Sequence, residues 1–222
     1  MFPSRRITMS GGSSFQNSQS LAFDGTNDYV SVGSTFQSTL RDDVTFSIWV
    51  KPTDGQPDGT THMLFGSNDN DADIIYLAIL SNDWTHLAIT SEKNAAKGFK
   101  LYVNGVSNTL ANSTGISDAQ WGDFTTSYNF HIGAYNDEGT ATLPFTGGIT
   151  DFAVYNRVLT PGEIRTIYNN RQAFNHKDWN GTRNLVSWLK LGDGTLDRWG
   201  SNPDASFNSF LITDEVSPTI GT

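Results

Sequence analysis

The chain contains no cysteine. A disulfide framework and a thiolate nucleophile are both excluded, and the lack of bridges leans towards a microbial or viral source rather than a small secreted animal domain. Positive charge is scarce: 14 Lys and Arg stand against 23 Asp and Glu, for a net charge of −9 and a pI near 4.7. Such a surface repels phosphate backbones and argues against nucleic acid as a direct partner. Its acidity serves solubility first and calcium capture second. Long apolar runs are missing, so no membrane insertion is expected. The opening Met1-Phe-Pro-Ser-Arg-Arg-Ile-Thr-Met-Ser10 lacks the apolar core of a signal peptide, which implies synthesis in a cytoplasm without this export route. Also missing are a Gly-x-Ser-x-Gly elbow, a His-Glu-x-x-His pair and a P-loop.

What the chain does have is aromatic mass and turns. Six Trp, 7 Tyr and 14 Phe exclude a disordered acidic polymer, and 21 Gly among many Asn, Asp, Ser and Thr predict short strands joined by turns. Val44, Phe46, Ile48 and Val50 alternate with Thr45, Ser47, Trp49 and Lys51, the period of a strand. Trp84 to Thr90 reads likewise, and Ile74 to Leu80 is a further apolar run. Phe99, Leu101 and Val103 lead into Asn104-Gly105, a type I′ hairpin signal, with return over Val106 to Leu110. Phe130 to Gly133 and Ile149 to Tyr155 are expected strands. One short helix is predicted near 161–169, with Thr160 as cap, Pro161 in its first turn, Glu163 completing a capping box, and Ile164, Ile167 and Tyr168 on its apolar face. The predicted class is therefore all-β, an antiparallel sandwich or barrel.

The ordered set Ser20-Leu-Ala-Phe-Asp-Gly-Thr-Asn-Asp-Tyr-Val30, Phe46 to Pro52, Trp84 to Thr90, Leu101 to Gly105, His131 to Gly133, Gly148 to Tyr155 and Leu159 to Tyr168 resembles the laminin-G-like, concanavalin-type jelly-roll family. The resemblance covers about Ser20 to Asn170 and implies a two-sheet antiparallel β-sandwich closed by the final helix. Three parts are expected: an N-terminal arm over 1–19, the sandwich over 20–172, and a C-terminal extension over 173–222. In the family, a strand like Leu185-Val-Ser-Trp-Leu-Lys-Leu191 opens the domain, whereas here it follows the closing helix. About Arg183 to Ile212 is therefore expected to supply that strand in cyclically reordered form, with Val186 and Trp188 sharing a side. Insertion into a neighbouring subunit, or a separate hairpin appendage, are the alternatives.

Related sandwiches include glycosidases with Glu-x-Asp-x-x-Glu along one strand; Glu92, Glu138, Glu163 and Glu215 are scattered, so the expectation is a non-enzyme. Glycan binding calls for exposed aromatics beside hydrogen-bonding groups, and Trp121, Tyr128, Tyr135, Asn136 and Asp137 are the candidates, loop anchoring being an equal alternative for the rings. Trp49 and Trp84 read as core. The four histidines, His62, His86, His131 and His176, lack zinc spacing. Asp69-x-Asp71-x-Asp73 fails as an EF-hand because Ile74 and Leu80 replace the glycine and glutamate. The resemblance implies a structural calcium at the sheet edge, held by Asp24, Asp28 and Asp151; that Asp24 and Asp28 merely shape turns weighs more. No other cofactor is expected, and the sequons at Asn112 and Asn180 mean nothing without export.

The chain also resembles laminin-G-like proteins of marine bacteriophages. The leading expectation is a virion structural or adhesion protein, as a capsid decoration or tail fibre, binding copies of itself, other virion proteins or a host surface glycan. A soluble carbohydrate-binding module is the alternative, and a glycosidase stands third.

Overall fold

The computed structural model describes residues 20–32, 35–53, 63–68, 83–93, 99–108, 127–171, 174–176, 184–191, 198–199, 211–213 and 220–221. The expected arm over 1–19, the run from Ile74 to Leu80, Trp121, His62 and both sequons lie outside them.

Two sheets pack face to face. The larger runs in the order β13 (Arg198–Trp199), β12 (Leu185–Leu189), β11 (Thr146–Tyr155), β3 (Val44–Pro52), β5 (Thr85–Ser91), β6 (Lys100–Val103) and β7 (Val106–Asn108); β1 (Ser20–Asp24) also pairs with β11, and β15 (Ile220–Gly221) with β1. The smaller runs β10 (Thr140–Thr142), β9 (Tyr135–Asp137), β4 (Phe65–Asn68), β8 (His131–Ile132), β2 (Tyr29–Ser31) and β14 (Leu211–Thr213). All pairs are antiparallel except β4 with β9. The fold is thus an all-β two-sheet sandwich.

Alternation decides the core. Phe46, Ile48 and Val50 of β3, Leu87 and Ile89 of β5, and Phe152 of β11 meet Val30, Phe65 and Ile132 of the smaller sheet, with Leu101 and Val103 partly buried at the margin. Phe46 stacks on Phe65 and Phe130, with ring centroids 5.0 and 5.8 Å apart. The other face of the larger sheet is covered too. There α2 (Pro161–Tyr168) packs Ile164 and Ile167 against Ala88, Tyr102, Ala153, Tyr155 and Trp188. Thr160 caps the helix through the Glu163 amide, and the Glu163 side chain answers the Thr160 amide, the capping box that the sequence predicts. The β6–β7 turn places Asn104 at φ 50° and Gly105 at φ 75°, as a type I′ turn requires. A four-residue helix, α1 (Gln37–Leu40), and a 3-10 turn at Asn169–Arg171 add to the single helix expected.

The C-terminal strand is taken up by this chain's own sheet. β12 pairs with the second half of β11, from Phe152↔Leu189 to Tyr155↔Leu185, while β1 pairs with the first half, from Leu21↔Ile149 to Asp24↔Thr146. Both run antiparallel to β11 along the same edge, so β12 ends where β1 begins. The expected sharing of a side by Val186 and Trp188 does not hold. The register shifts between Val154 and Tyr155, which leaves Val186 as an extra residue. Val186 and Leu189 then face the space between the sheets, whereas Leu185 and Trp188 face the helix.

Candidate functional site

Two polar constellations stand out, one on each sheet. The first lies under α2. β11 bulges opposite Ile48, between Thr150↔Trp49 and Ala153↔Ser47, and Asp151 takes a left-handed φ of 55° there. Its carboxylate accepts from the Trp188 indole Nε1 and lies 3.4 Å from His176 Nε2, while His176 Nδ1 is hydrogen-bonded to the Tyr155 hydroxyl. Burial, and secondarily the Asp151 charge, raise the Tyr155 pKa well above its ordinary value. Nearby, Ser47 Oγ is 2.9 Å from His86 Nε2, and burial lowers the His86 pKa to about 3. Asp151, Tyr155, His176, Trp188, Ser47 and His86 are all buried. A serine beside a histidine invites a hydrolytic reading. However, this histidine is too weak a base near neutrality, and no substrate reaches a fully buried pair. His86 Nδ1 is left without a hydrogen-bond partner, while the Asp151–His176–Tyr155–Trp188 bonds fasten β11, β12 and the 174–176 segment together.

The second constellation lies on the outward side of the smaller sheet. Val30 and Ile132 point inwards, so their neighbours Tyr29 and His131 point outwards. Tyr29 stacks on His131 with centroids 4.2 Å apart and planes 25° from parallel. His131 Nε2 lies 3.2 Å from Asn136 Nδ2, and Asn136 Nδ2 also donates to the Asn129 carbonyl at 2.7 Å. Ser67 Oγ donates to the Tyr128 carbonyl, which pins that segment against β4. Asn136 Oδ1 accepts from the Gly139 amide, shaping the β9–β10 turn in which Glu138 sits at φ 50°. The Tyr128 ring rests over that turn: a Cβ on Gly139 would lie 3.5 Å from its Cε1. Desolvation lowers the His131 pKa to about 4, so the ring is neutral near pH 7. Gly133, at φ 83°, lets the chain turn between β8 and β9; a Cβ there would come within 2.2 Å of the Phe23 ring.

Of the expected glycan residues, Tyr128, Tyr135, Asn136 and Asp137 come together at this corner. Tyr135 and Asn136 are buried, the first beside Gly66 and the second inside the turn, whereas Tyr128 and Asp137 are half-exposed. Trp121 lies outside the described residues. Tyr29 and His131 were not among the candidates, because their stacking depends on pairing between β2 and β8, a contact remote in sequence. The three aspartates expected at a calcium site are not brought together. Asp28 accepts from the Asp24 amide and Asp24 from the Thr26 amide, the turn-shaping role. Asp24 pairs with Thr146, five residues along β11 from Asp151, or about 16 Å of strand. Among the described residues no group of three His, Asp or Glu could hold a metal ion.

Residues 76–165 match the Laminin_G_3 family model, described as the Concanavalin A-like lectin/glucanases superfamily. The matched stretch spans β5 to β11 and supports the concanavalin A-like domain family for the sandwich. No match is found among curated proteins. Among solved structures, a Bacteroides ovatus ATCC 8483 protein assigned as carbohydrate-binding is similar, with a TM-score of 0.55 and 17% identity over 90% of this chain. This chain spans 60% of that protein's length. The Ruminococcus gnavus IT-sialidase CBM40 gives a TM-score of 0.47 and 18% identity, covering 66% of this chain and 96% of that one. Trypanosoma rangeli sialidase in complex with sialic acid gives 0.48 and 15%, covering 68% of this chain and 28% of that one. At such identities the likeness is one of fold.

Proposed function

We propose that the chain is a non-catalytic carbohydrate-binding module whose ligand lies along the strip from Tyr29 to Tyr128. The observation that carries this reading is the continuity of that strip. Two half-exposed tyrosines flank a hydrogen-bonded His131–Asn136 pair, and the half-exposed Asp137 follows Asn136 on β9. A sugar presents an apolar ring face and a rim of hydroxyls, and these want an aromatic surface and fixed polar groups respectively. Of the two leading readings drawn from the sequence, the family description supports this one, and nothing in it speaks of a virion. A virion or adhesion protein would turn the same strip towards a host glycan.

An oligosaccharide array probed with the full chain, followed by calorimetric titration of the best sugar, tests the proposal. Saturable one-site binding is expected, at least tenfold weaker in Tyr29→Ala and Tyr128→Ala variants that keep the parental circular dichroism. A tenfold loss corresponds to about 1.4 kcal/mol. Retention of no sugar, or parental affinity in both variants, would overturn it.

A further inference from the structure

The strip described above stands on a sheet without cations. No Lys or Arg occurs between Arg6 and Arg41, between Lys51 and Lys93, between Lys100 and Arg157, or after Arg198. Every strand of the smaller sheet falls within one of these four stretches: β2 in the first, β4 in the second, β8 to β10 in the third and β14 in the fourth. None of the cations on described strands or in described ion pairs lies on the smaller sheet. Lys51 and Lys100 are on β3 and β6, Arg157 pairs with Glu163 at α2, Arg171 with Asp83, and Lys93 with Asp42. Next to the strip, in the β9–β10 hairpin that Asn136 shapes, the charged groups are Asp137, half-exposed, and Glu138, exposed at the tip.

We infer that this site, if it binds sugar as proposed above, takes neutral glycans and rejects acidic ones. A sialic acid, uronate or sulfate surrenders hydration on binding and needs a cation or a charge-assisted donor in return. Arginine is the usual provider because its planar fork matches such groups, and among the described residues the strip has none. An acidic sugar would instead approach Asp137 and Glu138 within the roughly 8 Å over which salt leaves charges unscreened. A neutral sugar meets no such penalty. Its hydroxyls donate to the Asp137 and Glu138 carboxylates, and its ring face lies on tyrosine.

The test pairs each neutral oligosaccharide with its sialylated, uronate-bearing or sulfated counterpart, using the full chain at low and at high salt. Binding of the neutral member, at least tenfold tighter than its acidic partner at low salt and with the gap narrowing as salt rises, is the expected result. Acidic members bound as tightly as neutral ones would overturn the selectivity while leaving sugar binding intact. Binding of neither class would instead remove the sugar-binding reading, and the selectivity with it. A double variant, Asp137→Asn with Glu138→Asn, checks the cause. Asn tolerates the left-handed backbone at position 138, so folding is kept, and the low-salt gap is expected to shrink severalfold. An unchanged gap in that variant would overturn the electrostatic origin.

Discussion

The two sheets bury their surface in different ways. The larger one is built on long strands, nine residues in β3 and ten in β11, and is covered on both sides, by the inter-sheet core and by α2 with the 174–176 segment. Its polar groups are drawn inwards and tied to one another, as with Asp151, His176, Tyr155 and Trp188. The smaller sheet is built on strands of two to four residues. It owes its order to core residues on one face and to the Asn136 and Ser67 hydrogen bonds on the other. One sheet is a closed scaffold, and the other carries polar and aromatic groups at its surface. Function concentrates where groups are fixed yet reachable, and among the described residues the smaller sheet meets both conditions.

The sharpest way to break this comparison is to remove one aromatic from each sheet. Trp188→Ala is expected to cost about 3–5 kcal/mol, because it opens a cavity under α2 and strips a hydrogen bond from the buried Asp151 carboxylate. Trp188→Phe keeps most of the volume and should cost about 1–3 kcal/mol, the share due to the carboxylate. Tyr29→Ala, at a half-exposed site, should cost about 1 kcal/mol or less. Urea unfolding of the three variants measures this. Equal losses for Trp188→Ala and Tyr29→Ala would erase the distinction between scaffold and surface.

Acid should act on both sheets at once, through one buried histidine each. Burial depresses the pKa of His86 to about 3 and of His131 to about 4 in the folded protein, from an ordinary 6.5. Below pH 6.5 the unfolded chain therefore takes up protons that the folded chain refuses. The stability contributed by these neutral rings is complete above that pH and declines as pH falls towards 3–4. The slope approaches about 1.4 kcal/mol per pH unit for each histidine. Glu163, held at about 2 mainly by the Arg157 hydrogen bond, adds to the loss only below about 4.5. Unfolding midpoints at pH 7, 6 and 5 should fall steadily, and His131→Phe should remove about half of the slope. A flat profile between pH 7 and 5 would contradict the buried, neutral state of both rings.

The same contrast explains what could be read from the sequence. In β3 the alternation continues for a whole strand, and in α2 the cap, proline and apolar spacing agree, so both are legible from local pattern. β8 has two residues and β9 three, too few for any period to register, and their placement follows from pairing with distant strands. The bulges were equally silent. One gives Asp151 its left-handed backbone and its buried partners, which removes it from the aspartates expected at the sheet edge; the other parts Val186 from Trp188. Tyr128, Tyr135, Asn136 and Asp137 could be singled out as a group because they lie close in sequence. Which of them face solvent is set by the Asn136 bonds to the Asn129 carbonyl and the Gly139 amide, which no residue pattern announces.

The smallest effect separates the sheets by charge. Glu163 and Glu138 are both surface glutamates at the start of a turn of chain, yet only the first has work within the fold. Its two oxygens take both terminal nitrogens of Arg157, at 2.8 and 2.9 Å, and one also accepts from the Thr160 amide. Glu163→Gln keeps a capping side chain but ends the charged fork, so a loss of about 0.5–1 kcal/mol is expected. Glu138 is exposed, and its left-handed φ is one that Asn adopts more readily than Glu. Glu138→Asn should therefore be neutral or stabilise by a few tenths of a kcal/mol. Thermal melts of the two variants at pH 7, in low and in high salt, provide the measurement. The Glu163→Gln deficit should shrink as salt screens the pair in the parent, while the Glu138→Asn value should stay on the favourable side. A Glu138→Asn loss as large as that of Glu163→Gln would mean that the hairpin carboxylate holds the smaller sheet together, and that its charge is there for the fold rather than for a ligand.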